Sequence, residues 1–60
     1  MTKKHYEAIA ATFREQMDNP TVPSESRITL FCLANVQADY FKSENPRFDK
    51  TKFLTACGMA

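Results

Sequence analysis

Three side chains in this sequence belong to types that hold metals or attack electrophiles: His5, the one histidine, and the cysteines Cys32 and Cys57. A structural zinc site needs about four such ligands, in pairs at short spacing. Here the two thiols stand 25 positions apart with no second histidine to help, so no metal site is expected. Two isolated thiols are also not the dense framework of bridges that staples small secreted domains. A nucleophilic thiol needs a basic neighbour or a helix N-terminus to lower its pKa. Both cysteines fall among apolar neighbours, and both are read as reduced, buried core residues. The carboxylates Glu7, Glu15, Asp18, Glu25, Asp39 and Glu44 are spread over polar positions, without the apolar enclosure that would prepare one as a general acid. A single glycine rules out a phosphate-cradling loop. The expectation is a chain with no catalytic residue and no cofactor, and hence not an enzyme.

One charge constellation stands apart. Arg47, Lys50 and Lys52 flank the start of a short C-terminal helix, where unpaired backbone N–H groups point outward. Such a corner can receive an anionic partner. Asp49 sits among them, however, at the position where its own carboxylate answers those N–H groups.

The elements that must position these residues follow from periodicity and from three prolines. Tyr6, Ile9, Ala10, Phe13 and Met17 recur at spacings of three and four, which predicts a helix over residues 3–18 with Thr2 as N-cap and Asn19-Pro20 as its stop. A stiff link through Pro23 leads to a second helix over about 24–43, closed by Asn45-Pro46. Asp49 caps a third helix of about 50–57. There Phe48 and Phe53 have the spacing of a hydrophobic staple, Phe53, Leu54, Ala56 and Cys57 face inward, and Gly58 stands where a left-handed residue ends the helix. The fold class expected is all-α: one domain over residues 1–60, an antiparallel helical hairpin with a short third helix folded across it.

The tail Asn45-Pro46-Arg47-Phe48-Asp49, followed by Lys52-Phe53-Leu54 and Ala56-Cys57-Gly58, resembles the ending of small uncharacterised proteins from actinobacterial phages and their prophages. The opening Lys4-His5-Tyr6-Glu7-Ala8-Ile9-Ala10 is similar to theirs as well. Together these segments span a third to a half of the chain. The resemblance implies a helical phage or prophage accessory protein and carries no catalytic residue with it.

Composition narrows the function further. Eight basic against seven acidic residues give a formal charge of +1, too little to draw the chain to nucleic acid or an anionic membrane by charge alone. The longest apolar run, residues 30–34, is far short of a membrane span, and residues 1–18 lack the apolar run of a signal peptide, so a soluble cytoplasmic protein is expected. The second helix is apolar around most of its circumference; only Asn35, Asp39 and Lys42 form a polar line. Two short helices are little cover for so wide an arc. If the first helix takes the Cys32, Val36, Tyr40 side, then Leu30, Ala34, Ala38 and Phe41 remain as an open patch, through which the chain is expected to form a homodimer or meet another protein. The leading expectation is therefore a non-enzymatic interaction factor that binds and modulates a host protein. The alternative is a small nucleic-acid-binding or regulatory factor that uses Arg47, Lys50 and Lys52.

Overall fold

The computed structural model describes residues 2–59 and contains three helices, α1 (Lys3–Asp18), α2 (Ser24–Glu44) and α3 (Lys50–Ala56), with no strand among the described residues. The chain is all-α: α1 and α2 form the hairpin, and α3 packs against both. The expected helix ends agree with these bounds to within a residue.

Both long helices stop at the same device. At Asn19 and again at Asn45 the backbone is extended, as the ring of the following proline demands. Each asparagine side chain then bridges its proline: Asn19 Oδ1 accepts from the Thr21 N–H at 3.0 Å, and Asn45 Oδ1 accepts from the Arg47 N–H at 3.1 Å. The asparagine carbonyls close the turns by accepting from Val22 and Phe48. Lys42 adds a second tie at the later corner, its ammonium donating to the carbonyls of Pro46 (2.6 Å) and Phe48 (3.2 Å). At the earlier one, Arg27 Nη2 donates to the carbonyl of Asn19 at 3.0 Å and links the start of α2 to the end of α1.

α3 is short enough to need both ends fastened. Asp49 accepts from the Lys52 N–H at 3.0 Å as N-cap. At the far end Gly58 adopts φ 81°, and the N–H groups of Gly58 and Met59 donate to the carbonyls of Thr55 and Leu54, the paired pattern of a Schellman motif. Phe48 and Phe53 form the staple, their ring centroids 5.6 Å apart.

The core gathers Ala10 and Phe13 of α1, Ala34, Ala38 and Phe41 of α2, and Phe48, Phe53 and Cys57 from the tail. Tyr6 joins the aromatic cluster, its ring centroid 5.0 Å from Phe41 and 4.7 Å from Phe48. Tilted and edge-to-face arrangements throughout this group suit the quadrupoles of the rings.

This core corrects three expectations. Leu30, Ala34, Ala38 and Phe41 are not an open patch: Ala34, Ala38 and Phe41 are buried within the chain itself and Leu30 packs against them. Alanines one helical turn apart leave a shallow surface, and Ala34 and Ala38 are buried there in one cluster with Ala10 and Phe13 of α1. Cys32, expected in the core, is exposed on the reverse of α2, whereas Cys57 is buried as expected. Ala56, expected to face inward, is also exposed.

Candidate functional site

With Ala34 and Ala38 turned inward, the opposite side of α2 is left to solvent. Ile28 (66% exposed), Val36 (66%), Tyr40 (59%), Leu33 (47%) and Phe31 (45%) are the large apolar side chains on the surface. At about 100° per residue, Ile28, Cys32, Val36, Tyr40 and Leu33 fall within an arc of about 140°. Four of them, Ile28, Cys32, Val36 and Tyr40, follow one another at intervals of four and form a continuous ridge. The wide apolar arc was visible in the sequence as the Cys32, Val36, Tyr40 side; which half of it faced solvent was not. The Ala34 and Ala38 pair is the signal that could have oriented it, since small residues repeated at one turn favour close approach of another helix.

Polar groups beside the ridge have their hydrogen bonds within the chain. Asn35 Nδ2 donates to the Phe31 carbonyl at 2.8 Å, the Thr29 hydroxyl to Glu25 at 3.3 Å, and the Ser43 hydroxyl to Tyr40 at 2.6 Å. Asp39 accepts from the Lys50 ammonium at 2.7 Å.

The basic corner is divided by the fold. Arg47 and Lys52 line a cleft of about 530 Å³ between α1 and α3, where Lys3 joins them. Lys50 turns away to Asp39 on α2. Glu7 and Asp49 line the same cleft and offset part of its positive charge, and Glu7 lies 4.0 Å from the Lys3 ammonium. Phe48 and Phe53 belong both to the cleft wall and to the core. Asp49 already accepts from the first turn of α3, so the arrangement is a mixed-charge cleft rather than a concentrated anion site.

The residues first singled out for chemistry take structural places. His5 is exposed and its Nδ1 accepts from the Thr2 N–H at 3.1 Å, so it closes the first turn of α1 in the manner of a capping-box glutamate. That role was missed because a histidine is not the usual residue there. Burial pushes the Cys57 thiol above its ordinary value. Among the described residues, no three histidine, cysteine or acidic side chains gather as a metal-holding group, and no helix is long and apolar enough to cross a membrane.

Compared with known proteins, the chain matches no family model, no curated protein and no solved structure.

Proposed function

We propose that this chain is a non-enzymatic protein-interaction factor whose contact surface is the outer face of α2. Following the resemblance of its two ends, we further propose that it is a phage or prophage accessory protein that acts in the host cytoplasm by binding and modulating a host protein. The observation that carries the interaction reading is the ridge of Ile28, Val36 and Tyr40, each more than half exposed on one side of one helix. A chain of 60 residues has little core to stabilise it, so large apolar groups kept outside favour association once a complementary surface is available. An apolar helix face of this kind fits a protein groove through anchors one turn apart.

The alternative, nucleic-acid binding, draws support from the meeting of Arg47, Lys52 and Lys3 at one cleft. The two readings respond oppositely to salt: phosphate contacts weaken steeply as salt rises, while apolar contacts do not. The test uses tagged wild type, Val36→Glu and Lys52→Glu on nuclease-treated host lysate, followed by titration of the purified partner in low and high salt. Binding that Val36→Glu abolishes, that Lys52→Glu keeps and that salt leaves intact is the expected result. Binding that disappears with nuclease, or that Lys52→Glu and salt abolish while Val36→Glu keeps it, overturns the interaction reading in favour of nucleic acid.

A further inference from the structure

Most basic side chains of this protein find an acceptor within it. Lys3, Arg14 and Lys50 pair with Glu7, Asp18 and Asp39, and Arg27 and Lys42 donate to backbone carbonyls. Of the eight basic residues, that leaves Lys4, Arg47 and Lys52, whose side chains have no hydrogen-bond or ion-pair partner among the described residues. Arg47 and Lys52 engage their surroundings only through backbone N–H groups, which donate to Asn45 and Asp49. Both line the cleft between α1 and α3, and Lys4 does not.

The carboxylates of the same cleft are in the opposite position. Asp49 accepts from the first turn of α3 at 3.0 Å, and Glu7 lies 4.0 Å from the Lys3 ammonium. The charge left unanswered there is therefore positive and resides on Arg47 and Lys52. A guanidinium presents a planar fork of donors that matches a carboxylate. Glu7 and Asp49 still repel a chain of phosphates, so the match is to one anionic group and not to a polyanion.

The rest of the lining is apolar. Ala10, Phe48 and Phe53 close the back of the cleft as part of the core, while Tyr6 is half-buried and Ala56 exposed. The Tyr6 ring meets Phe48 edge to face at a centroid distance of 4.7 Å, and a further flat ring set against Tyr6 extends that pattern. At about 530 Å³ the cleft falls within the range of small-molecule sites, roughly 300–1,000 Å³.

We propose that the cleft between α1 and α3 is a binding site for a small aromatic monoanion, its ring against Tyr6 and its carboxylate on Arg47 and Lys52. Among the described residues, none of α2 lines this cleft, so the site stands or falls apart from the host-protein reading of the outer face. Titration of the isotope-labelled full chain with naphthoate, followed by amide chemical shifts, tests it. The shifts are expected to saturate and to cluster at Tyr6, Ala10, Arg47, Lys52 and Ala56. Naphthamide, the neutral isostere, should bind about tenfold more weakly, and so should naphthoate to Arg47→Gln, since a charge-assisted hydrogen bond is worth about that factor. Lys4→Gln removes an equally unpartnered cation outside the cleft and should bind as wild type does. The amide spectrum of each variant reports that it is folded.

Shifts that grow without saturating, or that centre on Val36 and Tyr40, overturn the proposal. So does equal binding of naphthoate and naphthamide, or binding that Arg47→Gln leaves unchanged. Equal losses in Lys4→Gln and Arg47→Gln overturn it too, because they mean attraction to overall charge. A short oligothymidylate completes the test: it is expected not to displace naphthoate, and displacement would assign the cleft to nucleic acid instead.

Discussion

Cys32 and Cys57 have the same side chain and opposite surroundings, and the difference is measurable. Cys32 is exposed and Cys57 buried, so a thiol reagent at neutral pH is expected to modify one group per native chain and two after denaturation. Mass spectrometry after brief labelling checks this; equal modification of both in native protein would mean that the tail does not pack. Burial also raises the Cys57 pKa above the ordinary value of 9.0. The unfolded chain then releases this proton at lower pH than the folded chain does. The contribution is fully present below pH 9 and is lost as pH rises through the folded value. Denaturant midpoints are expected to fall above pH 9, and less so in Cys57→Ala. His5 teaches the converse at the same scale: a residue that suggests metal chemistry serves as a backbone cap, its Nδ1 accepting from the Thr2 N–H.

At the level of the element, α3 is the informative case. Seven residues are too few to hold a helix by propensity, so its ends matter out of proportion to their size. Asp49→Ala is expected to cost about 1 kcal/mol through loss of the cap. Gly58→Ala is expected to cost about 1–2 kcal/mol, because an added Cβ is disfavoured at φ 81°. Crowding adds little to that figure: the nearest atoms to such a Cβ, on Arg14 and Met17, are at 3.7 and 3.9 Å, ordinary contact distances. Urea denaturation of the two variants separates these contributions. α2 behaves differently. It needs no special cap, since Pro23 only starts it and its C-terminal corner is fastened by Asn45 and Lys42.

For the whole molecule, the test is whether the two sides of α2 respond differently to the same chemistry. Ala34 has no exposed surface, and Ala34→Glu would bury a charge without a partner, so this substitution is expected to unfold the chain. Val36→Glu on the reverse side leaves the core untouched and is expected to stay folded. Thermal melts of the two, followed by circular dichroism, make the comparison; a folded Ala34→Glu would place the core elsewhere. Phe53→Ala removes a ring that contacts Phe41 and Phe48 at centroid distances of 5.6 Å. Its expected cost is about 3–5 kcal/mol, enough to unfold most molecules of so small a domain.

Much of what depends on near neighbours along the chain was legible in the sequence: the stops at Pro20 and Pro46, the cap at Asp49, the staple of Phe48 and Phe53, and the left-handed turn at Gly58; the His5 cap on Thr2, equally local, was not, because a histidine is an unusual residue there. Each is a short-range interaction whose partners lie within a few residues, so local steric and hydrogen-bonding rules determine it. The direction in which α2 turns its apolar circumference was not determined that way. Both halves carry enough apolar surface to serve as a core, and the half that was chosen buries Ala34 and Ala38 in one cluster with Ala10 of α1. That is a matter of shape between distant segments. Only the tertiary structure decided it, placing Phe41 with Tyr6, Phe48 and Phe53 and leaving Ile28, Cys32, Val36 and Tyr40 outside.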